Sequence, residues 1–324
     1  MPNTIRAPLI DGALVVDKPA GKTSHDVVEA VRRLVGFRQI GHLGTLDPLA
    51  TGVLVLLLGR ATRLARFYSG RRKRYDCAVR FGMATDTYDS DGEPQGPDLA
   101  PSLDRAAIER FAAGFVGRIE QTPPAFSAKK IHGRPAHELA RKKKPVDLKP
   151  LEVDVYEFRL TAVEGSVARF TIECGAGTYI RSLAHELGKL QGSGAHLCEI
   201  TRTSVGEFSL DQAVSVTDLA EAARSGQLSA RVIPMEGLLA DMPCVTVLPV
   251  IERRILHGAK FNISLAQIQR CRVTMGQGAT AESDSRERPS GRIRVLNGQE
   301  RLIAIAEAVV PRTYQPLVVL VPTP

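Results

Sequence analysis

The stretch that most constrains this chain is Gly41–Gly59, GHLGTLDPLATGVLVLLLG. Its apolar run, Val53–Leu58, is short and stops at a glycine, so it reads as a buried strand. Immediately before the run, a turn rich in Gly, Thr and Pro carries one carboxylate, Asp47. Pro48 fixes its own φ and biases Asp47 away from the α region. Gly44 and Gly52 permit backbone angles that other residues avoid. The expected result is a carboxylate held in a stiff loop against the core, a good mounting for a reactive group. Taken alone, Asp47 reads more simply as a cap for backbone N–H groups in an Asp-Pro turn. His42, beside a glycine, reads alone as a hydrogen-bonded structural residue.

Charge indicates what such a loop would meet. A formal net charge of +8 suits a polyanionic partner. Arg60, Arg63, Arg66, Arg71, Arg72, Lys73 and Arg74 crowd the stretch after the Asp47 loop, and Arg141–Lys144 forms a second run. Such runs are ordinarily solvated faces, but their place beside the candidate site favours a groove that tracks phosphates. A hydrophobic fraction of 44% argues for a packed core and against global disorder. No apolar run approaches the about 20 residues of a membrane helix. The opening MPNTIRAPLIDGALVVDKP lacks the basic and apolar regions of a signal peptide, so a cytoplasmic protein is expected. Cys77, Cys174, Cys198, Cys244 and Cys271 form no CxxC pair, so neither zinc nor a disulfide framework is expected. Asp86–Glu93, DTYDSDGE, fails as a calcium loop because its glutamate is wrongly spaced.

Along the chain, Leu14–Val16 starts a strand, and Ser24 is placed to cap a helix through Val27, Val28, Val31 and Leu34. Lys18 and Lys22 flank the intervening turn and read, by themselves, as surface residues. Ala61–Tyr68 reads as a helix, Lys73–Gly82 as a strand with Tyr75 at its start, and 103–117 as a helix. Gln121–Arg141, with paired prolines followed by basic residues, suggests a projecting loop. Val153–Leu160 and Val167–Cys174 alternate like paired strands around Glu164-Gly165. Thr178–Leu187 begins a helix carrying Tyr179 and Arg181, and a buried-facing arginine there needs a partner. Beyond Pro243 come short apolar strands, Val245–Val250, Arg292–Leu296, Arg301–Ala308 and Leu317–Val321, with a low-complexity loop at Met275–Gly291.

Three stretches, in order, resemble the signatures of the TruB-type tRNA pseudouridine synthases. GHLGTLDPLATGVL from Gly41 is similar to GHxGTLDPLATGVL. Val16–Val28, VDKPAGKTSHDVV, is similar to KPxGxTSxxVV, and Cys174–Leu187, CGAGTYIRSLAHEL, to GTYIRSL. Two looser matches are PPxxSAxKxxGxxxYExAR, here with His137 where an aromatic is common, and AHxxxLRRxxxGxF, here with Ile200 for leucine and Thr201 for arginine. A multi-motif match of this kind far outranks a single motif.

The resemblance implies an α+β pseudouridine synthase fold with a mixed, largely antiparallel central sheet and the site in a cleft across it. Residues 1–240 would form the catalytic domain, with an RNA-gripping insertion at about 121–150, and 244–324 a small β-rich PUA-like RNA-binding tail. The implied reaction is isomerisation of uridine 55 in the T-arm of tRNA to pseudouridine, with the base flipped out. Asp47 would be the nucleophile. Arg181 would pair with it, keeping it ionised by lowering its pKa by roughly 1–3 units. Tyr75 would stack on the target base, Tyr179 and Ile200 would shape the uracil pocket, and His42 would lie near the flipped nucleotide. Lys18 would make a supporting or phosphate contact, and Arg202 would retain a phosphate contact. The expected partner is the tRNA T-arm hairpin, met by a monomer with no cofactor, metal or membrane. Two other readings stay open: a non-catalytic tRNA-folding protein, and a synthase acting on another RNA.

Overall fold

In the computed structural model the apolar run Val53–Leu58 lies near the middle of a wide sheet. The structure describes residues 10–127, 129–131, 134–136, 148–264, 267 and 291–320. Strand β1 (Gly12–Lys18) leads into helix α1 (Ser24–Val35), β2 (Ile40–His42), β3 (Thr51–Leu58), a 3₁₀ segment (Gly59–Phe67) and β4 (Lys73–Phe81). A small hairpin, β5 (Ala84–Thr85) and β6 (Pro94–Gln95), frames the acidic loop, and α2 (Arg105–Ala113) and β7 (Gly117–Gln121) follow. A second hairpin, β8 (Lys130–Ile131) and β9 (Arg134–Pro135), precedes β10 (Leu151–Glu164), β11 (Val167–Cys174), α3 (Ile180–Gln191) and β12 (Ala195–Val205). Then come β13 (Phe208–Ser209), β14 (Val214–Ser215), α4 (Val216–Arg224) and β15 (Ile233–Pro234). The remainder is β16 (Cys244–Thr246), α5 (Pro249–Leu256), β17 (Phe261–Asn262), β18 (Arg292–Leu296), β19 (Leu302–Val310) and β20 (Thr313–Val319).

The first sheet runs β14-β1-β3-β12-β4-β11-β10-β7, with β2, β13 and β15 paired at its margins. Its pairings are antiparallel except β1 with β14 and β3 with β12. The second sheet runs β16-β18-β19-β20-β17. The architecture is therefore α+β, mixed and largely antiparallel, with a smaller β-rich unit at the C-terminal side, as the resemblance implied.

The continuous apolar run has a simple cause. Alternate residues of a strand point to opposite faces, and both faces of β3 are covered. Leu54, Leu56 and Leu58 pack with Val27, Val28 and Val31 of α1. Val53, Val55 and Leu57 pack instead with Leu302, Ile305, Val318 and Leu320 at the second sheet. Every residue from Val53 to Leu58 is 0% exposed.

Local differences from the sequence reading have physical reasons. Thr23, not Ser24, caps α1: it has extended φ/ψ and forms a capping box with Asp26. The stretch read as a helix after β3 is a 3₁₀ segment. Val245–Val250 is not one strand, because Pro249 stands at the first turn of α5, where its missing N–H is no loss. His137, Arg141–Lys144, Cys271 and residues 275–290 lie outside the described residues.

Because both faces of β3 are core, Leu56→Ala and Leu57→Ala are each expected to cost about 2–5 kcal/mol of stability. Urea unfolding checks this. A large loss in only one of the two would mean that one face is not packed.

Candidate active site

The turn that carries Asp47 is pinned from several sides. Ser24 Oγ accepts the Leu46 N–H at 2.8 Å and donates to the Leu46 carbonyl at 3.1 Å. Gly21 N–H donates to the Pro48 carbonyl at 2.9 Å, and Ala50 N–H to the Asp47 carbonyl at 3.1 Å. Lys18, read as a surface residue, is 0% exposed. Its ammonium donates to the carbonyls of Pro19, Lys22 and Pro48 at 2.9, 2.5 and 3.3 Å, so it is a strut beneath the loop. Burial pulls its pKa down to about 8, with Asp47 partly offsetting. Gly52 is forced by close approach: its φ is +93°, and a Cβ there would stand 2.4 Å from the Arg202 carbonyl oxygen.

Arg181, in the first turn of α3, is 5% exposed and reaches across to Asp47. Its Nε lies 2.9 Å from Oδ2, and Nη2 donates to Oδ1 at 3.1 Å. The same guanidinium donates to the carbonyls of Thr87 at 2.9 Å and Phe126 at 3.0 Å, and stands 3.4 Å from Asp89 Oδ2. Two carboxylates thus share one arginine. Asp89, on the β5–β6 loop, is itself held by Thr87 Oγ1 at 2.5 Å and Asp91 N–H at 3.2 Å. Burial raises the Asp47 pKa above its ordinary value; Arg181 opposes this and Asp89 adds to it. Arg181 thus acts in the expected direction, but what it does is limit a rise that burial imposes.

Asp47 and Arg181 border a pocket of about 270 Å³, lined also by Tyr75, Tyr179, Ile200 and Arg202. Six of the eight expected site residues are thus brought together. His42 and Lys18 are not among the lining residues. His42 sits half-buried on β2, opposite Leu56, and burial lowers its pKa. Tyr75 and Arg202 are register partners on β4 and β12. Burial pushes the Tyr75 phenol up to about 12. Arg202, expected to touch a phosphate, is 1% exposed and donates to the backbone carbonyls of Val53 at 2.8 Å and Gly44 at 3.0 Å. It joins β12, β3 and the Asp47 loop.

The arginine run after the loop is likewise largely committed to the protein. Arg60 pairs with Asp11 at 2.5 Å and donates to the Leu320 carbonyl at 2.9 Å, and Arg63 donates to that of Val319 at 2.5 Å. Arg71 pairs with Asp241, Arg72 with Glu173, and Arg74 with Glu157 and Glu173. The surprise is Lys73, which lines the pocket itself, its pKa lowered first by burial and then by Arg202. Sequence reasoning passed over Lys73 as one of a run and Asp89 as one of an acidic loop. A threonine two residues before Asp89 is the one local sign that this carboxylate is held in place.

Comparisons with known proteins agree on a relationship. A family described as "TruB family pseudouridylate synthase (N terminal domain)" matches residues 32–180, and "tRNA pseudouridylate synthase B C-terminal domain" matches 181–240. The chain is 42% identical over 312 residues to a Solibacter usitatus protein named tRNA pseudouridine synthase B, covering 96% of this chain and 100% of that one. It is 41% identical over 256 residues to the Aquifex aeolicus protein of the same name, covering 78% and 88%. Among solved structures, a chain in "Structure of H/ACA RNP bound to a substrate RNA containing 2'-deoxyuridine" shares the fold. Its TM-score is 0.69 at 22% identity, over 97% of this chain and 86% of that one.

The electrostatics give a signed expectation. Asp89→Asn removes a like charge and should lower the Asp47 pKa; Arg181→Met removes an opposite charge and should raise it. A pH titration of the Asp47 carboxyl by carbon NMR reads both. Shifts of the reverse sign would show that the three groups are not coupled as their geometry indicates.

Proposed function

The chain belongs to the TruB family of tRNA pseudouridine synthases, and from that premise we propose that it isomerises uridine 55 in the T-arm of tRNA with Asp47 as nucleophile. The observation that carries this reading is the placement of Asp47: a carboxylate gripped by a buried arginine at the edge of a pocket that has an aromatic side chain on either strand or helix beside it. The reaction conserves oxidation state. The N1–C1′ bond of the nucleotide breaks, the uracil turns, C5 bonds to C1′, and the C5 proton leaves while N1 gains one. No cofactor or metal is needed for that balance.

The target base is stacked inside a folded loop and must be flipped out, at a cost of a few kcal/mol drawn from RNA binding. Tyr75 then stacks on the ring, Tyr179 and Ile200 bound its plane, and His42 lies beside the flipped nucleotide. Arg181 keeps Asp47 oriented and ionised against the burial that would protonate it. The net charge of +8 supports a polyanionic partner. With so many arginines of the run after the Asp47 loop tied to carboxylates and carbonyls, Lys73 is the member of that run placed at the pocket to meet the substrate. We assign residues 1–240 to the catalytic domain and 244–324 to a PUA-like RNA-binding tail, in a cytoplasmic monomer.

The test uses an unmodified tRNA transcript tritiated at uracil C5. Wild-type protein should release tritium stoichiometric with one uridine. Asp47→Asn should release none while binding tRNA within about threefold of wild type, since a missing nucleophile removes chemistry and not docking. Substantial release by the variant would sink the nucleophile assignment. No release by a folded, tRNA-binding wild type would favour an RNA-folding role or another RNA substrate.

A further inference from the structure

The chain that leaves the sheet after β7 is bonded to the first turn of α3 at three points. Gln121, the last residue of β7, is 6% exposed. Its Nε2 donates to the Tyr179 carbonyl at 3.0 Å, and its Oε1 accepts the Tyr179 N–H at 2.7 Å. Ser182 Oγ donates to the Thr122 carbonyl at 3.0 Å, and Arg181 Nη2 to that of Phe126 at 3.0 Å. Tyr179 is the residue at which the chain turns into α3, and its own side chain makes no capping bond. The Gln121 amide therefore meets both backbone groups of the residue that sets the helix's entry, and the Tyr179 carbonyl also accepts the Ser182 and Leu183 N–H groups at 3.1 and 3.3 Å. On its other side Gln121 is in register with Leu151 of β10, so it is anchored in the sheet. It is not among the residues lining the Asp47 pocket.

We infer that Gln121 is a positioning residue for the reaction, acting through Tyr179 and Arg181. A buried side-chain amide that pairs with both backbone groups of one residue fixes that residue's orientation as well as its distance. The connection runs from the sheet edge to Gln121, from its amide to the Tyr179 backbone, and two residues on to the guanidinium that meets Asp47 and Asp89. The carbonyls of Thr122 and Phe126 each add one bond on the same side. Without the Gln121 bonds the Tyr179 backbone keeps its bonds within α3 but loses its tie to the sheet, so the first turn can shift as a unit and carry both the pocket tyrosine and the arginine relative to the nucleophile. A misplacement of about 1 Å costs on the order of 100-fold in rate. The inference rests on the reading of Asp47 as nucleophile and Arg181 as its partner.

The test follows single-turnover tritium release from C5-labelled tRNA transcript, at saturating enzyme, for the wild type, Asp47→Asn, Gln121→Met and Gln121→Glu. Methionine matches the shape of glutamine and makes neither bond. Gln121→Met is expected to slow the saturated rate by on the order of 100-fold with tRNA affinity within about threefold of wild type. Gln121→Glu supplies a second readout. Ionised, the new carboxylate turns a lone pair toward the Tyr179 carbonyl; protonated, it restores both bonds. Burial raises a carboxyl pKa, so the variant's rate relative to wild type should climb as pH falls from about 8 to about 6. Melting curves of each variant accompany the rates. The inference is overturned by a wild-type saturated rate for Gln121→Met, by a loss confined to tRNA affinity, by a fall that only tracks unfolded protein, or by a Gln121→Glu ratio that is flat with pH. Activity retained in Asp47→Asn would instead overturn the reading beneath it, so the two failures are distinguishable.

Discussion

The site depends on one buried guanidinium. A charge taken out of water is tolerated only where nearly every donor finds a partner. Arg181 meets that condition with groups from three separate segments: Asp47 on the turn before β3, Asp89 and the Thr87 carbonyl on the β5–β6 loop, and the Phe126 carbonyl after β7. The arginine ties the three segments together at the pocket. Its planar fork suits the role, because it can address two carboxylates and two carbonyls without changing shape.

The same economy recurs away from the pocket. Arg202 joins two strands and the Asp47 turn through backbone carbonyls. Arg294, only 8% exposed, donates to the carbonyls of Met242, Glu236 and Leu238 and so fastens the connection between the two sheets. Arg60 and Arg63 reach the carbonyls at the end of β20. In each case an arginine satisfies carbonyls that regular pairing leaves open. A basic composition here is thus partly an internal scaffold, and only the remainder is available to a polyanion.

What was legible in the sequence was what is local. The strand after Asp47 announces itself because both of its faces are buried, leaving no polar residue to interrupt the run. The strand pair around Glu164-Gly165 shows the alternation of one face against helices and the other more polar. Asp89 and Gln121 were not legible, because each acts on a residue far along the chain and neither differs locally from an ordinary loop acid or strand-end amide. The arginine run misled for the same reason. Clustering shows where positive charges begin along the backbone, whereas their partners, Asp11, Asp241, Glu157 and Glu173, are distant in sequence. Ser24 and Thr23 were exchanged because either hydroxyl can cap a helix. Which one does so was settled by Leu46, whose backbone takes the Ser24 hydroxyl.

The two-sided burial of β3 also has a consequence for how the chain is made. Val53, Val55 and Leu57 are produced early, while Leu302, Ile305, Val318 and Leu320, which share their cluster, come some 250 residues later. At the usual pace of translation, about 5–20 residues per second, that face waits tens of seconds for its final cover. Leu64, Tyr68, Val205 and Phe208 reach the same cluster sooner and shield part of it in the interval. The nascent protein can therefore assemble its pocket side against α1 and α3 while the opposite side is still a sticky, half-dressed surface. For this architecture the second sheet is a late-arriving cover for that face, carried on the same polypeptide.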